Sequence, residues 1–369
     1  MSEVPPELEK IFFCNRCGYC HAVCPTYRIT KFDESEVARG RLQILKRVIT
    51  KWDEIKKDIN ADFIAHFYHC LLCGACVLNC PAGIDVPEIV IAGRKWITDK
   101  GFIPPKELND ATMKISKFNN IFGAPQSKRP KPLFTSDNPE VLFFAGCVAS
   151  FKAPELVKSY LSTLKKAVDI CFLGDKEPCC GIIARRTGFD GVFRSALNSV
   201  NNAISEVKVE KIISPCPSCV MALREVKDNI EVKHTSEFIS ELISKGDLKL
   251  KKLKAKVAFH DPCQLARRLQ VTEAPRKILS EIEGLELIEF DSHGKNTVCC
   301  GSGSFLNYLF LTDRAIELSS ERLKEAKDKG VNIVVTACPS CYIALKEAEK
   351  AKRMGLKIMD ISQILHKVT

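Results

Sequence analysis

The 369-residue chain lacks any run approaching the roughly 18 apolar residues that a membrane span requires, so no part of it is expected to cross a bilayer. Walker loops, metalloprotease helices, a Ser/His/Asp triad and a dinucleotide fingerprint are also missing as motifs, which removes the common hydrolase, nucleotidase and NAD-dependent readings. A net charge of +10 has no sustained basic stripe behind it. Lys and Arg are interleaved with Asp and Glu, as in "RAIELSSERLKEAKDKG", the pattern of a solvated helix face and not of a nucleic-acid surface. Glutamine is scarce beside Lys, Glu and Ile, a balance that bears on thermal stability only. The start "MSEVPPELEK" is acidic and proline-bearing, unlike a signal peptide, so a cytoplasmic location is expected, with any membrane attachment peripheral and through a partner.

Cysteine, by contrast, is abundant, at 19 residues. An odd count, a cytoplasmic start and tight C-x-x-C clusters point to reduced thiolates held for metal, not to a disulfide framework. "FFCNRCGYCHAVCP" gives Cys14, Cys17, Cys20 and Cys24 before Pro25, and "CLLCGACVLNCP" repeats the spacing as Cys70, Cys73, Cys76 and Cys80 before Pro81. A single tetrahedral zinc needs only four ligands, usually in two separated pairs. Three thiols on one short loop, with a fourth three residues on before a proline, suit a cubane [4Fe-4S] cluster, and in two-cluster ferredoxins the fourth cysteine serves the other cluster. The expected sets are therefore Cys14, Cys17, Cys20 and Cys80 for one cubane, and Cys70, Cys73, Cys76 and Cys24 for the other.

Between the motifs, "EVARGRLQILKRVITKW" carries apolar residues at helical spacing, which predicts a helical ferredoxin domain over residues 1–100. Arg39 and Arg41, around Gly40, fall at the start of that helix, either as exposed charge or as counter-charges to an anionic cluster or an acidic partner. Residues 101–138 are rich in Pro, Ser, Asn and Lys and read as a linker.

Ten further cysteines form two matching sets: Cys147, Cys179, Cys180, Cys216 and Cys219, then Cys263, Cys299, Cys300, Cys338 and Cys341. Each set is a lone cysteine, a C-C-G and a C-P-S-C, with 31 and 35 residues before the paired cysteines and 34 and 36 between C-C-G and C-P-S-C. This is a duplication, expected as residues 139–250 and 251–369. In each half, apolar strand runs ("EVLFFAGC", "DICFLG", "EKIISPC"; "AKVAFHDPC", "LELIEF", "VNIVVTAC") alternate with helical ones, and each C-C-G is expected to open a long helix. The fold class expected is α+β multidomain: a helical bis-cluster ferredoxin domain followed by duplicated α/β, Rossmann-like domains, with the cysteines meeting at one rim. Cys171 is left over, in "DICFLG", as a small buried hydrophobe. His260 and Asp261 offer a supporting pair or a proton donor near Cys263, against the plainer reading of a strand-end histidine bonded locally. "GSGS" at 301–304 lacks the lysine of a phosphate cradle and reads as a close backbone approach to a cluster or substrate.

Two cubane motifs followed by two C-x31–35-C-C-G-x34–36-C-x-x-C units resemble the family of D-type heterodisulfide reductase subunits. The layout is also similar to the iron-sulfur subunits of glycolate oxidase, lactate dehydrogenase and anaerobic glycerol-3-phosphate dehydrogenase; "ARGRLQILKR" and "CLLCGACVLNCPAGIDVPEIV" look more like these. The resemblance implies that each five-cysteine set holds a noncubane [4Fe-4S] cluster and forms the catalytic part of the chain. It implies an oxidoreductase subunit that relays electrons through two cubanes to two noncubane clusters, beside a flavoprotein dehydrogenase that carries the FAD, or a membrane cytochrome or hydrogenase-type donor. An alternative is a disulfide reductase that cleaves a heterodisulfide such as that of coenzyme M and coenzyme B, with a small-molecule disulfide or thiol as partner. A zinc-binding scaffold without catalysis is a third reading; five ligands with a vicinal pair have no structural-zinc rationale.

Overall fold

The alternation of apolar strand runs and amphipathic helices builds two sheets in the C-terminal two thirds of the chain. The computed structural model describes residues 6–226 and 230–369. In the first sheet, β1 (Leu133–Phe134), β2 (Val141–Phe143), β3 (Ile170–Phe172), β4 (Lys211–Ser214) and β5 (Glu231–His234) lie in the order β1-β3-β2-β4-β5. The second holds β6 (Ala255–His260), β7 (Leu285–Ile288), β8 (Ile333–Thr336) and β9 (Lys357–Asp360) in the order β7-β6-β8-β9. Every pair in the second sheet is parallel, as is every pair in the first apart from edge strand β1. Setting β1 aside, the two orders correspond strand for strand, the structural form of the duplication.

The repeats are joined reciprocally. Helix Thr235–Lys245, which follows β5, packs on helix Glu273–Ser280 of the second repeat; helix Ile361–Val368, which follows β9, packs on helix Pro154–Leu164 of the first. One apolar core therefore spans both, with Phe143, Tyr160 and Ile213 from one side and Phe259, Val335 and Ile364 from the other. At about 25 cal/mol per Å² of apolar surface removed from water, such a shared core is what holds the two cysteine rims in register.

The N-terminal residues are helical, with Ala38–Thr50, Ala61–Tyr68 and Val86–Asp99 the main segments. Arg94, fully buried, binds this part to the first repeat: its Nε and one amino group donate to Phe67 O at 2.9 and 2.7 Å, and the other amino group donates to Arg186 O at 2.9 Å. The Tyr68 hydroxyl adds a bond to Thr187 O at 2.9 Å.

Two expectations are corrected. Residues 101–138 are not a featureless linker: helix Lys106–Phe118 buries Leu108, Ala111, Thr112 and Ile115, a face at helical spacing, and packs on helix Asp190–Val207, while β1 closes the sheet edge. Nor does C-C-G open the long helix directly. A short helix intervenes in each repeat, Ile182–Thr187 before Asp190–Val207 and Leu306–Phe310 before Thr312–Asp328; the first is stopped at Gly188, in a left-handed conformation at φ +99°, and the second at Leu311.

Candidate metal centres

The two N-terminal motifs fold alike. Arg16 and Gly18 in the first, and Leu72 and Gly74 in the second, all take positive φ, which curls each C-x-x-C loop so that its thiols face inward. Cys14, Cys17, Cys20 and Cys80 line one cavity with Arg39 at its wall; Cys24, Cys70, Cys73 and Cys76 line a second with Arg41 at its wall. The fourth cysteine of each motif thus sits with the other motif's loop, while Cys76 reaches the wall of both. Cys17 is the one exposed cysteine among the described residues. Each guanidinium goes to a different cavity. Arg39 pairs with Glu34 and donates to Arg16 O at 3.1 Å, whereas Arg41 is buried, 2.7 Å from Glu36. Burial resists ionisation of Glu36, yet the His69 hydrogen bond and the Arg41 and Arg314 charges hold its carboxyl down at about 2.

In the two repeats, all ten cysteines are buried. Cys147 lies in the first turn of helix Gly146–Lys152, a few residues past the end of β2. Cys216 and Cys338 are the N-caps of helices Pro217–Leu223 and Pro339–Lys352. Proline at the first helical position suits both starts and sets the second cysteine one turn along, on the same face. Cys147 Sγ stands 4.0 Å from Cys179 Sγ, and Cys180 Sγ 3.4 Å from Cys219 Sγ; the second repeat reproduces this as Cys263–Cys299 at 3.8 Å and Cys300–Cys341 at 3.3 Å. Gly181 N–H and Gly301 N–H donate to Cys179 and Cys299 sulfur at 3.5 and 3.4 Å.

The thiols within a set share protons unevenly. Hydrogen bonds from Cys179 and then Cys219 draw Cys180 down to about 6, and Cys299 and then Cys341 draw Cys300 well below the usual thiol range. Cys219, Cys299 and Cys341 are pushed well up as they keep the protons. Buried thiols that already stabilise thiolate neighbours, with backbone N–H groups and a guanidinium nearby, are a donor set suited to iron–sulfur clusters. The residues fit that group at all four places.

The sites form a line. Cys73 packs with Cys263 and Cys299 in one buried cluster, which joins the second N-terminal cavity to the second repeat, and Cys299 draws the Cys73 thiol down to about 6. Residues just past Cys263 hold this junction: Gln264 Nε2 donates to Leu72 O at 2.7 Å, Arg267 donates to Cys73 O at 2.9 Å, and Arg268 pairs with Asp85. Cys338 of the second set in turn feels the charge of Cys216 in the first, and Ser304 and Ser340 of the second repeat line the first set's cavity. "GSGS" therefore approaches the first cysteine set. Where the N-terminal part meets both repeats, Leu72, Glu88, Ile182, Arg186, Met221 and Gln264 line a further cavity of about 200 Å³, with no cysteine in its wall.

His260 and Asp261 part company. Asp261 turns to Arg276 in a two-pronged pair with both contacts at 2.8 Å, while His260 groups with Cys300 and Cys341. Cys171 is buried in mid-β3 and lines none of these cavities; burial pushes its thiol up to about 11. Sequence reasoning missed Arg94, Gln264 and Arg267, whose partners are backbone carbonyls distant in the chain and leave no local pattern.

Comparison with known proteins agrees with this reading. The 4Fe-4S dicluster domain profile matches residues 10–84, and the cysteine-rich CCG domain profile matches residues 141–224 and 257–346. The chain is similar to the D-type subunit of the dihydromethanophenazine:CoB–CoM heterodisulfide reductase of Methanosarcina barkeri, at 26% identity over 97% of this chain and 94% of that one. It is similar to the B-type subunit of the fumarate reductase (CoM/CoB) of Methanothermobacter marburgensis, at 28% over 97% and 72%, and to the EtfAB:quinone oxidoreductase of Syntrophomonas wolfei, at 25% over 96% and 57%. The chain is an iron–sulfur oxidoreductase component related to D-type heterodisulfide reductase subunits, with a 4Fe-4S dicluster domain ahead of two cysteine-rich CCG domains.

Proposed function

We propose that the chain relays electrons along four sites, from the exposed Cys17 end, through the Cys24/Cys70/Cys73/Cys76 cavity, to the second and then the first five-cysteine set. The observation that carries this reading is the packing of Cys73 with Cys263 and Cys299 in one buried cluster, where the dicluster part meets the cysteine-rich part. Cys14, Cys17, Cys20 and Cys80 would hold one cubane [4Fe-4S] cluster and Cys24, Cys70, Cys73 and Cys76 the other. Cys147, Cys179, Cys180, Cys216 and Cys219 would hold one noncubane cluster, and Cys263, Cys299, Cys300, Cys338 and Cys341 the second. Such clusters supply one-electron redox steps at potentials set by net charge, burial and hydrogen bonds to sulfur. The chain's own part is to bury the sulfurs, to place Arg39 and Arg41 against the two cubane sites, and to aim Gly181 and Gly301 N–H groups at thiolate sulfur.

We read the two parallel sheets as Rossmann-like cores and divide the chain at 1–100, 139–250 and 251–369, with helix Lys106–Phe118 as the brace between the first two parts. The partner is a flavoprotein dehydrogenase subunit that carries the flavin, in a complex on the cytoplasmic side. Among the described residues no helix is long and apolar enough to cross a membrane, so any attachment to one runs through a cytochrome or similar protein.

A second reading, a disulfide reductase, is favoured by one observation: the cavity of the first five-cysteine set is also lined by Ser304 and Ser340 of the second repeat. There the residues would position a small disulfide between the sets. Anaerobic purification with bound partners separates the readings. A co-purifying flavin-linked dehydrogenase whose donor reduces the clusters supports the relay. Cluster signals altered by a disulfide or thiol, with no dehydrogenase present, support the second reading and defeat the first.

A further inference from the structure

The two five-cysteine sets match in spacing, strand order and sulfur geometry, yet one neighbour differs. Parallel register aligns Phe143 with Ile213 in the first sheet and Phe259 with Val335 in the second, so the next residues, Phe144 and His260, occupy equivalent places, each three residues before the first cysteine of its set. Both are buried. Phe144 asks nothing of its surroundings. His260 does: its exposure is 0%, and neither ring nitrogen has a hydrogen-bond partner. A buried polar group left unpaired keeps its desolvation penalty, so two bare nitrogens in one ring are a standing cost unless something at the site answers them. The groups gathered round the imidazole are the sulfurs of Cys300 and Cys341, with a ring nitrogen and both sulfurs within 4.8 Å of one another.

We infer that His260 is a positioning residue of the second cysteine set: its imidazole N–H donates to the Cys300–Cys341 sulfur pair once that set holds its cluster, which makes the second site easier to reduce than the first. An N–H donor at a thiolate sulfur favours the reduced, more negative state of a cluster, and Phe144 supplies no such donor to the first site. The duplicated sites are thereby unequal. The second, which touches the Cys73 loop, is the first of the pair to take an electron, and the first site is reduced after it. This inference rests on both sets holding iron–sulfur clusters.

The test uses the full chain, loaded anaerobically, in three forms: wild type, His260→Phe and Phe144→His. The readouts are iron and sulfide counts, an EPR-monitored redox titration, and pulsed EPR on protein labelled with 15N-histidine. The expected result is a weak histidine nitrogen coupling on one cluster of the wild type, lost in H260F. In H260F that cluster's potential falls while its iron count holds, and in F144H the potential of the other noncubane cluster rises. Unchanged potentials in both variants, or no histidine coupling in the wild type, overturn the inference. A strong coupling, as from nitrogen bound to iron, also overturns it and makes His260 a ligand instead. The wild-type coupling needs no variant to fold. Wild-type protein without clusters in the cysteine-rich domains defeats the proposed function itself, an outcome the iron count separates from the others.

Discussion

Replacing Gly301 by alanine isolates what the glycine of C-C-G contributes. Gly301 sits at φ +86°, and a Cβ there would meet Leu318 Cβ at 2.9 Å and Ala315 Cα at 3.0 Å, on the long helix that backs the site. The left-handed conformation costs an alanine about 1–2 kcal/mol, and overpacking in a rigid core adds about 1–3 kcal/mol. The expected total is about 2–5 kcal/mol. Gly330 is the control: its φ is +67°, but a Cβ would meet nothing within 4 Å, so G330A should lose only the backbone part, about 1–2 kcal/mol. Denaturant unfolding of both variants measures the difference. Because the helix cannot yield without moving the turn, G301A should also displace the N–H aimed at Cys299 and lower iron retention at the second set, which G330A should not. Equal stability and equal iron in the two variants would refute the steric argument and leave the glycine with a conformational role alone.

Three further outcomes follow from the contacts. Arg94→Met should cost about 3 kcal/mol, since it strips charge-assisted bonds from Phe67, Cys70 and Arg186 carbonyls and leaves them buried, as seen by chemical unfolding with limited proteolysis between the N-terminal part and the first repeat. Cys24→Ala should remove the cubane shared with Cys70, Cys73 and Cys76, and Cys80→Ala the one shared with Cys14, Cys17 and Cys20; EPR with each variant losing its own motif's cluster would contradict the exchange. Asp360, whose side chain caps helix Ile361–Val368, is pushed up to about 6 by burial. Its folded value lies above the unfolded one of about 3.9, so its stabilising protonation is present below pH 4 and lost as the pH rises to about 6, roughly 3 kcal/mol in all. Asp360→Asn, which keeps a capping oxygen, should abolish that dependence in unfolding curves taken from pH 4 to 7.

The same cap position shows where the sequence is legible. β2, β4, β6 and β8 are apolar runs buried on both faces, and each could be read directly from its residues. β5 and β9, with the sequences "EVKH" and "KIMD", are four-residue edge strands with mixed exposure and carry too few apolar residues to stand out. Their last residues, His234 and Asp360, are equivalent caps of the two exchanged helices, yet nothing in the chain announces that those helices cross between repeats. Helix Lys106–Phe118 did carry its signal, Leu108, Ala111, Thr112 and Ile115 at helical spacing, but prolines and polar residues on both sides masked it. The cysteines themselves were readable because metal chemistry fixes their spacing. Their neighbours were not: the Arg267 clamp on Cys73 O and the His260 approach to Cys300 depend on how the domains pack, which local pattern does not encode.

The central claim is that all four cysteine sites hold iron–sulfur clusters in one connected line. Anaerobic purification followed by iron, sulfide and zinc analysis with EPR of the reduced chain tests it most directly. About sixteen irons per chain, with two kinds of [4Fe-4S] signal, are predicted; about eight irons with zinc in the remaining sites would contradict it.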